Sequence, residues 1–217
     1  MIRLLTDANK RFFAVAFGFS WSINAMSMAH HTKQTEVSDP TARKAAFAPV
    51  VSAGCRCLIL GSLPGDPSLK AGEYYAHPRN IFWDLVAHFL AIDRDLPYAT
   101  RVKQLMSRQI GLWDVLAAAN RHLSADQHIR DPHPNDFVPI LTAFPMIETI
   151  CLNGVTAHKY WNRLVAPRLL AELPDSRYQR IRLLPLPSTS PANAAVSRAV
   201  KYDLWSQAFC GLTCPFN

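Results

Sequence analysis

Cysteines are few in this sequence, and none has the spacing of a metal site. Five occur among 217 residues: the pairs Cys55/Cys57 and Cys210/Cys214, and the single Cys151. A structural zinc site needs closely spaced Cys or His pairs in a recurring pattern, so the sequence predicts no metal and no other cofactor. Scattered cysteines in odd number are typical of reduced, buried thiols, and we therefore expect a cytoplasmic protein.

Long apolar stretches and blocks of positive charge are also missing. The apolar segment at residues 12–19 is far shorter than the roughly 20 residues that cross a bilayer, so no membrane anchor is predicted. Charged residues make up 18% and hydrophobic residues 49%, which indicates a globular chain rather than a disordered one. The formal net charge of +7 favours polyanionic partners, but folding must gather that charge onto one face.

Residues 1–46 are predicted to be an N-terminal extension that precedes an α/β domain at residues 47–217. Lys10 and Arg11, followed by an apolar segment and small residues, resemble a signal peptide. The segment could instead be an upstream extension of a chain that starts at Met26 or Met28, or an ordinary helix. We favour the upstream extension, and expect a chain that begins at Met28 to fold and act like the full one. The polar stretch that follows reads as a mobile arm.

The strongest structural signal is a strand, a sharp turn and a loop in succession. Cys57 to Leu60 is a short apolar run, which predicts a buried strand of a parallel sheet. Gly61-Ser62-Leu63-Pro64-Gly65 ends that strand, and a loop with two tyrosines and His77 leads to Asn80, where helical spacing begins. Ligands of open α/β sheets bind at the carboxyl ends of the strands, so this loop is well placed for a site.

Two more apolar runs predict strands at residues 148–152 and 181–186. Asn153 ends the first of these, and Ser190 and Pro191 follow the second as a candidate N-cap and first residue of a helix that runs to about Cys210. Strands and helices alternate along residues 47–217. The predicted fold is a single α/β domain with a short, mainly parallel central sheet flanked by helices.

These motifs resemble those of the uracil-DNA glycosylase superfamily. Residues 61–65 resemble the Gly-Ile-Asn-Pro-Gly turn of the mismatch-specific thymine/uracil enzymes, and residues 76–83 resemble their Ala-His-Pro-x-Asn-x-Phe-Trp segment. The hypoxanthine (deoxyinosine) branch is more similar still, since it has Gly-Ser-x-Pro-Gly followed by Tyr-Tyr-x-His-Pro-x-Asn-x-Phe-Trp. One departure is Leu63, which stands where the mismatch-specific enzymes have a catalytic Asn.

Three later segments extend the resemblance. Residues 111–115 and 130–137 are similar to the Gly-Leu-Trp-Asp-Val and Arg-Asp-Pro-x-Pro-Asn-Asp-Phe segments of the hypoxanthine branch. Residues 186–190 resemble the superfamily's second motif, which presses into the DNA minor groove. The uracil-specific branch has a His before the Pro-Ser of this motif, but here that position is Leu186, so no His electrophile is available at that place.

The resemblance implies an enzyme that hydrolyses the N-glycosidic bond of a deaminated base in double-stranded DNA, and hypoxanthine is the expected base. Asn80 would hold the attacking water, Tyr75 would stack on the extruded base, and backbone N–H groups at Ser62 and Leu63 would bind the base's oxygen. Asp66 is the rival catalytic residue. The predicted base-binding residues are Gly61, Ser62, Leu63, Tyr75, His77, Phe82 and Asn153. The predicted DNA-binding residues are Pro187, Ser188, Thr189 and Ser190.

Several alternatives remain open at this stage. The protein could prefer uracil, as the mismatch-specific enzymes do, or could bind damaged DNA without cleaving it, which Leu63 favours. It could also be an unrelated nucleotide enzyme that binds phosphate at the predicted helix start near Ser190. Lys70 is expected to be a surface residue, so no lyase step is predicted, and we expect a monomer.

Overall fold

The computed structural model of this chain describes residues 43–213, so most of the predicted N-terminal extension lies outside the described residues. A four-stranded parallel sheet forms the centre, in the order β3-β2-β6-β7. Its strands are β2 (Cys57–Gly61), β3 (Ile110–Asp114), β6 (Thr149–Asn153) and β7 (Arg182–Leu186). The predicted α/β fold with a short parallel sheet is therefore confirmed.

Strand β2 lies in the middle of the sheet and has apolar packing on both faces. Leu58 and Leu60 point into one core, whereas Cys57 and Ile59 point into the other, and all four are fully buried. This explains why the strand reads as a continuous apolar run instead of an alternating one. The central position also brings the end of β2 between the ends of β3 and β6.

A second, antiparallel sheet was not predicted. It has the order β1-β4-β5 and consists of β1 (Arg43–Ala45), β4 (Leu116–Arg121) and β5 (Ile129–Pro134), with a 3₁₀ turn at Asp126–His128 before β5. Strand β4 follows β3 after one residue, which carries the chain past the turn that ends β2. Strand β1 starts just ahead of residue 47, and the exact domain boundary stays a prediction.

Helices cover both faces of the parallel sheet. They are α1 (Asp66–Ala71), α2 (Phe82–Leu90), α3 (Tyr98–Ser107), α4 (Phe137–Ala143), α5 (Val155–Tyr160), α6 (Ala166–Glu172), α7 (Asp175–Tyr178) and α8 (Arg198–Thr213). A π-helical segment, Trp161–Val165, joins α5 to α6. Asp136 caps α4, because its carboxylate accepts from the Val138 N–H. Within the described residues, no helix is long and apolar enough to cross a membrane.

The prediction of a helix start at Ser190 and Pro191 is wrong. The last helix begins at Arg198, because the intervening segment forms turns of its own: the Ser190 hydroxyl accepts from the Ala192 N–H and the Ser190 carbonyl from the Asn193 N–H. The helix also continues through Gly211 to Thr213 instead of ending near Cys210. The helix N-terminus that was expected to bind phosphate therefore does not exist at Ser190.

Candidate active site

The turn after β2 accepts hydrogen bonds from the side of the β3–β4 connection. The N–H groups of Val115 and Leu116 donate to the carbonyls of Gly61 and Ser62, at 2.8 and 3.1 Å. A planar trans peptide sends its N–H in the direction opposite to the preceding carbonyl. The N–H groups of Ser62 and Leu63 therefore point away from the β3–β4 side of the turn. Because β2 has β3 on one edge and β6 on the other, the Ser62 N–H points towards the β6 side.

The Leu63 side chain is directed into the core. It is 6% exposed and packs in the same cluster as Trp113 and Val115. This position cannot present a side chain to a ligand, so only its backbone is available. The result agrees with a base-binding role for the Leu63 N–H and excludes a catalytic role for its side chain.

Tyr75 is held in a strained backbone conformation on top of Phe82. Its φ of 59° is uncommon for a residue other than glycine and is typical of functional sites when the surroundings impose it. The two rings stack with centroids 3.9 Å apart and planes 25° from parallel. Phe82 is fully buried, so it supports the Tyr75 ring from behind and does not itself line the site.

Asn80 lies two residues before the first residue of α2, and its side-chain oxygen already accepts one hydrogen bond. That oxygen accepts from the Phe82 N–H at 3.0 Å, which fixes the side chain beside the first turn of the helix. The helix begins at Phe82, whereas the sequence placed the start of helical spacing at Asn80. An amide oxygen has two lone pairs, so one remains for a water molecule. Asn80, Tyr75, His77 and Trp83 line a cleft of about 140 Å³, together with charged residues that include Arg94 and Arg101.

The remaining loop residues have local contacts. His77 accepts the Arg79 N–H on its Nδ1 at 3.1 Å, so that nitrogen is occupied within the loop. Asp66 begins α1 and forms an ion pair with Lys44 of β1, with its side chain 43% exposed. This pairing turns the Asp66 carboxylate towards the second sheet and makes it a weaker candidate than Asn80 for positioning water.

Asp114 ends β3 beside Gly61 and was not predicted as a site residue. It is 3% exposed, and a side-chain carbon added at Gly61 would lie 2.7 Å from its Oδ1, so the glycine is what allows the carboxyl group to sit there. Burial raises the pKa of Asp114 to about 7; the Tyr74 hydroxyl and the Arg121 guanidinium oppose the shift, and Asp126 adds to it. The group therefore changes protonation state near neutral pH.

Three buried polar atoms at this place have no hydrogen-bond partner among the described residues. They are the hydroxyls of Tyr74 and Tyr75 and Oδ2 of Asp114; Tyr74 faces Asp114 and Tyr75 faces Asn153, but neither pair has a hydrogen bond of normal geometry. Tyr74 is fixed by its backbone, which accepts from the Trp83 indole and donates to the Tyr98 hydroxyl. Buried polar groups are normally satisfied, so such a cluster at converging strand ends indicates a site that binds a polar ligand or water.

Asn153 ends β6 and connects the strand to the loop after β7. Its Nδ2 donates to the Thr189 hydroxyl at 3.0 Å, and its Oδ1 accepts from the Thr189 N–H at 2.9 Å. The Tyr75 hydroxyl faces this amide. Asn153 thus holds the loop against the sheet, and its amide forms part of the wall of the site.

The loop at residues 187–190 is tied to three elements. The Trp205 indole of α8 donates to the Pro187 carbonyl, and the Ile81 N–H donates to the Thr189 carbonyl at 3.2 Å. Gly154 has φ of 102° and lies so close that an added side-chain carbon would be 2.8 Å from Cβ of Ser188. Thr189 is buried, while Ser188 and Ser190 are partly exposed beside the site. The structure therefore brings together the loop, Asn80 and the strand ends.

The Asp114 position could have been found from sequence. It is an acidic residue that ends an apolar run, the same pattern that identified Asn153 at the end of β6. Among residues 43–213, no group of three or more His, Cys, Asp or Glu side chains converges in a way that could hold a metal ion.

Comparisons with known proteins identify the family of this chain. The family model of the uracil DNA glycosylase superfamily matches residues 48–209. The hypoxanthine DNA glycosylase of Methanosarcina acetivorans is 40% identical over 118 residues, which cover 54% of this chain and 75% of that protein. The Methanosarcina barkeri protein of the same name is 36% identical over 119 residues, with the same two coverages.

A solved structure has the same fold. It is the solution NMR structure of a candidate uracil DNA glycosylase from Methanosarcina acetivorans. The match has a TM-score of 0.67 and 34% sequence identity, and it covers 80% of this chain and the whole of the Methanosarcina acetivorans chain. The resemblance inferred from the motifs is confirmed over nearly the whole described region. This chain belongs to the uracil DNA glycosylase superfamily.

Proposed function

We propose that this protein is a monofunctional DNA glycosylase that releases a deaminated base from double-stranded DNA, with hypoxanthine as its preferred base. The observation that carries the proposal is the cluster of unpartnered buried polar atoms on Tyr74, Tyr75 and Asp114, where three strands converge. Two relatives named hypoxanthine DNA glycosylase support the same base.

The chemistry of the cluster suits a deaminated purine. The six-membered ring of hypoxanthine has an N–H donor beside a carbonyl acceptor, and its five-membered ring adds a nitrogen acceptor. A tyrosine hydroxyl can both donate and accept, and so can a carboxyl group while it is protonated. The pKa of Asp114, raised to about 7 by burial, keeps much of this group protonated near neutral pH. The site can therefore match both the donor and the acceptors of the base edge.

The reaction would proceed on a base that has left the duplex stack. Flipping a nucleotide costs a few kcal/mol, and the cost is lowest at a mismatch or lesion. The ring of Tyr75, supported by Phe82, would stack on the extruded base. As the bond to the sugar breaks, negative charge develops on the base, and the N–H groups of Ser62 and Leu63 would stabilise it.

Asn80 would then position the attacking water. An amide is a poor proton acceptor, so the contribution of Asn80 is orientation, not proton abstraction. The partially buried hydroxyls of Ser188 and Ser190 would bind the DNA backbone next to the flipped nucleotide. Thr189 fixes their loop through its paired hydrogen bonds to Asn153.

The test is a panel of duplexes that each contain one inosine, uracil or xanthine. We expect release of hypoxanthine, with uracil a weaker substrate or none, because the buried hydroxyl of Tyr75 and carboxyl group of Asp114 can match the polar edge of the purine and Leu63 offers no amide to read a pyrimidine. Equal or faster release of uracil opposite every base would contradict the preference for hypoxanthine. Tight binding without any abasic product would instead favour a non-catalytic module that binds damaged DNA.

Replacing Ser188 and Ser190 with Ala tests the DNA-binding loop. Each change removes a neutral hydrogen bond to the backbone, so affinity for inosine-containing duplex should fall by roughly 1 kcal/mol per lost bond. Wild-type affinity itself should fall as salt rises, because counterions are released on binding. The variants should keep that salt slope, since no charge is lost. A loss of equal size on undamaged DNA would show that the loop does not bind next to a flipped nucleotide.

A further inference from the structure

A buried arginine lies behind the turn that follows β2. Arg121, the last residue of β4, is 1% exposed. Its Nη1 donates to the Leu63 carbonyl at 3.1 Å, and its Nη2 donates to the Pro64 carbonyl. Together with the bonds to Gly61 and Ser62, four successive carbonyls of the turn are held from the same side.

Asp126 is the acidic partner of this arginine and also anchors the turn. Its Oδ1 lies 3.3 Å from Nη1 of Arg121, and its carboxylate accepts the Ser62 hydroxyl at 3.0 and 2.9 Å from its two oxygens. The Asp126 side chain is 38% exposed, whereas that of Arg121 is 1% exposed. Water screens the carboxylate more than the guanidinium, so a net positive potential remains beneath the turn.

An apolar residue of similar size would support the turn at lower cost if support were all that was needed. Burying a cation requires good compensation, and here two of its three partners are neutral peptide carbonyls. The Nε of Arg121 has no hydrogen-bond partner among the described residues. The charge of the Arg121 guanidinium is therefore not fully compensated within the folded protein. This indicates that positive charge at this position has a functional role.

We propose that Arg121 is a positioning residue for departure of the base. The guanidinium fixes the turn and places a buried positive charge behind it, and the field of this charge favours the negative charge that develops on the base at the Ser62 and Leu63 N–H groups. The effect acts across the turn and not through the peptide planes that Arg121 contacts, because the Leu63 carbonyl shares its plane with Pro64, which has no N–H, and the Pro64 carbonyl shares its plane with the Gly65 N–H. The inference rests on the proposed glycosylase function and adds a residue that does not touch the substrate.

Substrates with different leaving groups test the proposal. Single-turnover rates are measured on duplexes with one hypoxanthine or one 8-azahypoxanthine, whose additional ring nitrogen stabilises the departing anion. Arg121→Met should slow release of hypoxanthine roughly tenfold or more, as for loss of charge-assisted bonds, and should slow release of 8-azahypoxanthine less. The ratio of the 8-azahypoxanthine rate to the hypoxanthine rate should therefore rise. An equal loss on both bases would show that Arg121 only supports the turn and would overturn the proposal.

Asp126→Asn is the matched second variant, and it also serves if Arg121→Met does not fold. It removes negative charge from beneath the turn and keeps both the arginine and an acceptor for Ser62. The ratio of 8-azahypoxanthine to hypoxanthine rates should stay the same or fall, opposite to Arg121→Met. A rise in the ratio would contradict a role for charge. If the wild-type protein releases neither base, the proposed function itself fails. If the wild-type protein releases both bases and the ratio is unchanged in both variants, the role of Arg121 fails while the proposed function stands.

Discussion

Asn80→Ala should slow base release from inosine-containing duplex by about 10²–10³-fold, the loss typical of removing one preorganised polar group. Asn80 is the polar side chain at the start of α2 that reaches the cleft beside Tyr75, and one lone pair of its oxygen is free to hold water. Binding of the duplex should be almost unchanged, because the contacts proposed for the DNA backbone lie in the loop at residues 187–190. Single-turnover rates and affinity measured on the same protein separate the two effects.

Stability has to be controlled in this experiment. The Asn80 oxygen also accepts the Phe82 N–H, so the alanine variant loses a contact at the helix start and should unfold more easily by about 1 kcal/mol. Asn80→Asp keeps an oxygen at this position and provides the matched control for the fold. Its melting temperature should be close to that of the wild-type protein.

Asp66→Ala separates the two candidate catalytic residues. Asp66 is paired with Lys44, whose side chain is only 13% exposed, so turnover should change little while the melting temperature falls because Lys44 loses its acidic partner. If Asp66→Ala is inactive while Asn80→Ala turns over normally, the assignment of roles is wrong.

The pH dependence of activity should follow the protonation of Asp114. An ionised carboxylate next to a base that gains negative charge would oppose its departure, so the protonated form is the productive one. The pKa of Asp114 is raised to about 7 by burial, and kcat/KM should therefore fall by about tenfold per pH unit above that value. Asp114→Asn keeps a neutral polar group and should give a flat profile between pH 6 and 9. An unchanged fall with pH in the variant would assign the titration to another group.

The same pKa predicts a change in stability. Because the pKa of Asp114 is higher in the folded than in the unfolded chain, the folded chain binds more protons between these two values. Its contribution to stability is present at low pH and is lost as the pH rises from about 4 to about 7. Asp114→Asn should therefore have a higher melting temperature than the wild-type protein at pH 8, and the difference should shrink towards pH 5.

Much of the fold could be predicted because the parallel strands carry continuous apolar runs. The runs at residues 57–60 and 148–152 predicted β2 and β6, and each was followed by the polar or glycine residue expected at a strand end. The same rule applied to Ile110–Asp114 would have identified both β3 and its buried carboxyl group. That segment was interpreted only as a family motif, and Asp114 was missed for this reason.

The second sheet and the buried arginine could not be read from local pattern. Strand β5 contains two prolines, and β4 does not alternate regularly between apolar and polar residues, since its buried positions include Arg121. A single arginine in a polar stretch is normally at the surface. Only the pairing of β4 with β5, and its return past the turn after β2, makes this one internal.

The loop after β7 shows the limit of capping rules. Ser190 followed by Pro191 is a good helix start by local criteria, yet the chain forms turns until Arg198. Competing contacts decide the outcome: the Asn193 side chain donates to the Ser188 carbonyl, and Lys201 donates to the Asn193 carbonyl at 2.7 Å. These contacts hold the loop at the site instead of allowing it to enter the helix directly.

The most direct test of the proposed site is a single-turnover reaction with a duplex that contains one inosine. Free hypoxanthine is detected by mass, and the abasic strand by alkaline cleavage, for the wild-type protein and for an Asn80→Ala/Asp114→Leu double variant purified in the same way. We predict stoichiometric release of hypoxanthine by the wild-type protein and none above background by the double variant, which removes the water-positioning amide and the carboxyl group at the strand ends. Release at equal rates by both proteins, or by neither, would contradict the assignment of the strand-end cluster as the site of base excision.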